Sequence, residues 1–176
     1  MKLLLKPLIY LYHNIERIII IIAYVAISSI VFVEVIRRFI FNQQAPWSTV
    51  IPIYLFLFLT WIGAAYNAKM RTHLTFDEFR RRLPYTAQFL CLILDYVCWI
   101  TLACFVIYYS LEQMQICIDN YSIVYGTDLF VWYFYTATPL GWILLVLRVT
   151  ENLVRDFLNY RAGRPLIRQF SEEEVV

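Results

Sequence analysis

Long apolar runs alternate with short polar joins along this chain. The runs at 18–33, 50–66, 87–109 and 129–149 bracket the roughly 20 helical residues that cross a hydrocarbon core of about 30 Å. They predict an all-α membrane protein with four transmembrane helices, at about 9–41, 49–68, 85–111 and 128–150. In the first join, "NQQAPW", Asn42 is a stop signal and Pro46 disfavours helix at Ala45. Ser48 or Thr49 is then the expected N-cap of the second span, with Pro52 tolerated in its first turn. In the second join, "TFDE" at Thr75 to Glu78 has the form of a capping box. It predicts a short amphipathic helix at about 76–83, with Phe76, Phe79 and Leu83 on one face and Arg80, Arg81 and Arg82 among the charges elsewhere. Such a helix lies flat on a membrane or against a partner. Pro84 ends it or opens the third span. The third join, 111–128, reads as a loop, and 151–176 as a tail that begins helical and closes with the solvated "SEEEVV".

Composition supports lipid as the solvent. With 61% hydrophobic and 16% charged residues among 176, the chain is more apolar than a soluble domain of its length can bury. Lys2 and Lys6 before the first run suggest a signal peptide, but Glu16, Arg17 and the long apolar stretch fit a retained helix better. Of the 15 Lys and Arg residues, only Arg37 and Arg38 fall on the side opposite the other thirteen. The positive-inside rule therefore places both termini in the cytoplasm. The basic island from Lys69 to Arg82 is first a topology determinant whose arginines can meet lipid phosphates. A net charge of +2 adds nothing in favour of nucleic acid.

Few residues carry candidate chemistry. Cys91, Cys98 and Cys104 lie in the third apolar run and Cys117 alone in the outer loop, without the Cys-x-x-Cys pair of a thiol oxidase. His13 and His73 are too few and too far apart in the pattern for a bis-histidine haem or a metal cluster. No cofactor is therefore expected, and a membrane redox anchor or thiol oxidase stands as the alternative class. Asp95 is a buried polar candidate within the third span, expected to hydrogen-bond or pair with an interfacial arginine rather than carry ions. Glu34, Arg37 and Arg38, at i, i+3 and i+4, can pair on the helix surface. Two arginines against the charge bias also suggest contact with a partner on that side, and Trp47 sits beside them.

The segment from Val33 through "VEVIRRFIFNQQAPWSTV" to "RTHLTFDEFRRRLP" resembles the small membrane subunit (Q type) of tripartite ATP-independent periplasmic (TRAP) transporters. The resemblance rests on Glu34, Arg37, Arg38, Pro46, Trp47, Ser48, Gly63, Ala64, Ala65, Arg71, His73 and Asp77. Many members of that family carry an acid just after the Trp, where this chain has "STV". The resemblance implies a non-enzymatic scaffold in the bacterial inner membrane, bound to a large elevator-type membrane subunit. It also implies sodium on that partner and delivery of an organic acid by a periplasmic substrate-binding protein, the sialic-acid branch being nearest.

Overall fold

The computed structural model describes residues 2–71 and 82–166, the side chains of 2–13 excepted. The first three apolar runs each lie within one helix, whereas the fourth, 129–149, begins in the connection before the last span, whose first helical residue is Trp132 rather than 128, and is broken at Thr136. The helices are α1 (Lys2–Ile40), α2 (Trp47–Met70), α3 (Tyr85–Asp119), the single turn α4 (Trp132–Tyr135) and α5 (Ala137–Arg161). The segments Asn14–Ile40, Trp47–Met70, Tyr85–Asp119 and Trp132–Arg161 are long and apolar enough to cross a membrane. The predicted amphipathic helix, with Phe76, Phe79, Arg80 and Arg81, lies outside the described residues. Arg82 is an exposed turn residue.

The helices form an open row. α1 packs on α2, α2 on α5, and α5 on α3, so α1 and α3 are its outer members. In their most apolar windows only 6% of residues are buried, against 33% for the α4–α5 span. The row is tightest where α2 crosses α5. A Cβ added to Gly141 would stand 2.5 Å from Trp61 Cβ and 3.0 Å from its carbonyl carbon, so only glycine lets the two backbones approach this closely. Trp142 follows and lies between Trp61 of α2 and Trp99 of α3, with ring centroids 5.5 and 6.1 Å away. Ala65, Ala68, Ala103 and Leu145 complete this core. Pro139 has no N–H for the carbonyl of Tyr135, and the last span breaks at Thr136 between α4 and α5.

Several local expectations are corrected. α2 begins at Trp47, with Pro46 at the cap position and no side-chain cap; buried Ser48 instead donates its hydroxyl back to Ala45 O at 2.6 Å. Ser48 therefore serves the preceding turn. Pro52 lies inside the helix rather than in its first turn. α3 runs on to Asp119, so Cys117 is a buried helical residue and the connecting segment is 120–131. The polar Glu112, Gln113 and Gln115 lie in that helical extension, beyond the apolar run. Pro84, with φ −60° and ψ 149°, is the residue just before α3.

Candidate functional site

The up-and-down course of the chain gathers the sites at two poles, with α1 and α3 running one way and α2 and α5 the other, so that the central pair α2–α5 is parallel. The basic pole is where α2 and α5 end and α3 begins; the loop pole holds the turn 41–46 and the connection 120–131.

At the basic pole the sequence places charges inside apolar helices, and the fold makes them meet. Arg148, in the middle of α5, donates from Nε to Glu16 Oε1 of α1 at 2.6 Å and from Nη1 to Glu151 Oε2 at 3.0 Å. The Arg148 side chain is 2% exposed and that of Glu16 0%. Removing Arg148 would take from the buried Glu16 the partner that holds its Oε1, whereas Arg148 without Glu16 would keep its bonds to the partly exposed Glu151. Lys69, buried at the end of α2, lies among the charges of Glu16, Arg148, Glu151 and Arg155. Two residues further on, Arg71 adopts a left-handed φ of 55° and closes α2, its N–H directed at Ala68 O and Asn67 O. Its guanidinium donates to Asp156 Oδ1 at 2.7 Å and to the carbonyls of Asn152 and Leu166. Asn152 Nδ2 in turn donates to Ala68 O at 2.8 Å. The frayed carbonyl end of α2 is thus tied to α5 by side chains. Tyr85, the first residue of α3, stacks on Tyr160 and donates to Arg164 O at 2.9 Å. All four long helices are therefore joined at this pole.

Glu16, Lys69, Arg148 and Asp156 were missed as a group by sequence reasoning, which took the basic residues only as orientation signals. One available signal was position: Arg148 follows "WILLVL" with no helix stop before Thr150, so it had to lie within the helix and needed a partner.

At the loop pole Glu34 is half-buried and accepts the N–H of Ala45 at 3.1 Å. Among the described residues no ion pair joins it to Arg37 or Arg38. The expected intrahelical pairing is replaced by a tertiary bond, because the turn brings the Ala45 N–H, a donor that needs a partner when taken from water, onto the carboxylate. The carbonyl of Arg37 receives the N–H groups of Phe41 and Gln43 around Asn42, whose φ is 50°. Arg38 is exposed, and Arg37 and Trp47 are half-buried. Cys117, Val124 and Val131 pack against Val50, Ile51 and Tyr54 of α2.

Asp95 is half-buried on α3 rather than enclosed. Cys91, Cys98, Cys104 and Cys117 are free thiols spread along the same helix. Among the described residues no group of three or more His, Cys, Asp or Glu could hold a metal ion.

Residues 27–159 match the family model for tripartite ATP-independent periplasmic transporters, DctQ component. No curated protein matches the chain.

Proposed function

Because the chain belongs to the DctQ family of tripartite ATP-independent periplasmic transporters, we propose that this small membrane subunit is a static scaffold for a large elevator-type subunit. In this reading a periplasmic binding protein delivers an organic acid, sialic acid being the first candidate. Sodium and substrate both bind the large subunit, and this chain catalyses no reaction. The observation that carries the scaffold role is the open row of helices: α1 and α3 leave most of their apolar surface uncovered, which lipid and a broad partner interface would cover. Cross-links between helices at both poles support a body that keeps its shape while a neighbour moves across the bilayer.

The basic pole faces the cytoplasm of the inner membrane in this proposal, in keeping with thirteen of the fifteen Lys and Arg residues. Arg80, Arg81 and Arg82, with Phe76 and Phe79, then rest at the cytoplasmic lipid surface. The loop pole faces the periplasm, where Arg37, Arg38 and Trp47 are contacts for the binding protein and Glu34 fixes the turn beneath them.

Liposomes containing this chain, its large subunit and the binding protein, with each omitted in turn, test the reading under an imposed sodium gradient. Uptake of labelled sialic acid that requires all three supports both role and substrate. Uptake by this chain alone would overturn the scaffold role; no uptake of sialic acid by a complex that imports another acid would overturn only the substrate.

A further inference from the structure

The connection 120–131 is a built element. Val124 N–H donates to Leu129 O at 2.8 Å and Val131 N–H to Ser122 O at 3.0 Å, with Ile123 opposite Phe130. Val124 and Val131 turn inward and are buried. Gly126, at φ +80°, closes the tip, where a Cβ would stand 3.2 Å from Pro46 Cβ. The ribbon is therefore seated on the body of the protein at both its base and its tip.

Its outer side is apolar. Tyr121, Ile123 and Tyr125 alternate outward while Val124 between them points in, and the two tyrosines are 79% and 76% exposed. Tyr121 also occupies the left-handed region at φ 48°, where a bulky residue is sterically disfavoured and glycine is not. That conformation closes α3, with Tyr121 N–H donating to Ile118 O and Ser122 N–H to Cys117 O, each at 3.0 Å, so the helix end itself accounts for it. An outward row of one isoleucine and two tyrosines left uncovered by the chain's own packing points to a contact beyond it.

The level of the ribbon identifies that contact. α2 has 24 residues, about 36 Å of helix, so its span across a core of about 30 Å leaves Trp47 at one interface. The cluster beneath the ribbon packs on Val50, Ile51 and Tyr54, in the first two turns of α2, and the ribbon tip meets Pro46. The ribbon thus lies at the height of the headgroups, where amphipathic rings partition. Residues 111–131 contain Glu112, Asp119 and Asp128 and no Lys or Arg, which suits neutral rather than anionic headgroups.

We propose that Tyr121, Ile123 and Tyr125 form a lipid-contacting plate, which seats the loop pole in the zwitterionic headgroup layer and fixes the height of the subunit in the bilayer. The plate acts independently of which acid the transporter carries. The test uses the full chain with its large subunit in phosphatidylcholine nanodiscs. Tyr125→Trp and Tyr121→Trp each add a reporter, read as the difference from the parent's fluorescence. Lipids brominated near the glycerol end of the acyl chains are expected to quench the added ring more than lipids brominated near the chain ends. Replacing a third of the lipid by phosphatidylglycerol should leave that quenching unchanged. Quenching by aqueous acrylamide but by neither bromolipid would mean a solvated ribbon and overturn the proposal. Protection from both, lost when the large subunit or the binding protein is removed, would assign the plate to a protein partner and overturn it equally. Tyr121→Gly separates fold from anchoring: thermal unfolding in detergent should be unchanged or improved, while quenching of a Trp at position 125 by shallow bromolipid falls.

Discussion

At the basic pole Glu16 of α1 reaches Arg148 of α5 through a 2.6 Å ion pair closed off from solvent, whereas at the loop pole Glu34 of the same helix accepts the N–H of Ala45 and, among the described residues, pairs with no cation. Both carboxylates sit on one continuous helix, 18 residues apart in the sequence, yet they perform different work. The first holds an edge helix to one that is not its immediate neighbour in the row. The second closes a six-residue turn between neighbours. One pole is fixed by charges that cannot be left alone; the other is fixed by backbone geometry and leaves its arginines available.

The largest effect expected from breaking this contrast comes from Arg148→Met. It leaves the buried Glu16 carboxylate without the partner on its Oε1, and loss of one partner of such a pair costs about 3–5 kcal/mol. Unfolding of the purified chain in mild detergent should show a large drop in midpoint. The double variant Glu16→Leu with Arg148→Met should recover most of it, since apolar replacement of both partners is often neutral. Failure of the double variant to recover would mean that Lys69 and Glu151 need the pair, and that the cluster acts as a unit.

Next in size is Gly126→Ala at the loop pole. A side chain at φ +80° and 3.2 Å from Pro46 is strained by about 1–2 kcal/mol, and the ribbon must also lift from the turn. Hydrogen exchange should rise in 120–131 and in 41–46, while the amides near Arg148 keep their protection. Exchange that rises at both poles together would show that the two ends are coupled through the row.

Glu34→Ala follows, at about 1 kcal/mol. It removes one acceptor from a buried N–H, a loss of about 1–3 kcal/mol when no water replaces it, and the turn lies close to the surface. Glu34→Gln keeps a carbonyl oxygen in place and should cost less than half as much. A larger loss for Gln than for Ala would mean that the negative charge itself matters, through Arg37 or Arg38, and would restore the pairing that helix spacing suggested.

Residue type and run length were enough to locate the four spans, because hydropathy over 20 residues is a one-dimensional property that lipid reads directly. Asn42 as a helix stop was legible for a similar reason: it acts through its own backbone. The basic cluster was not. Glu16 and Arg148 are 132 residues apart, and each, taken alone, looks like a charge at the flank of a span. Only the order of the row, with α5 placed between α2 and α3, brings them together. Glu34 was misread for the opposite reason. Its nearest charges in sequence are four residues away or fewer, but the group that captures it is the N–H of Ala45, made available by the turn at Asn42. Helix spacing gives the neighbours on a surface; it does not give the competitor that a turn folds back.

The smallest effect on stability, and the sharpest test of the contrast, belongs to Arg37→Gln combined with Arg38→Gln. With Glu34 engaged by Ala45, these guanidinium groups form no ion pair among the described residues, so the unfolding midpoint should not move measurably. Their contribution should appear in assembly. If they meet an acidic surface of the binding protein, association with the reconstituted two-subunit membrane complex slows by about tenfold at low salt, the lower end of electrostatic steering. The difference between variant and parent should shrink as ionic strength rises past 0.15 M, where screening acts within about 8 Å. Unchanged association at every salt concentration would remove the arginines from the docking surface while leaving the turn and its Glu34 cap intact. A fall in midpoint with no change in association would instead make the two poles alike, both using charge to hold the fold.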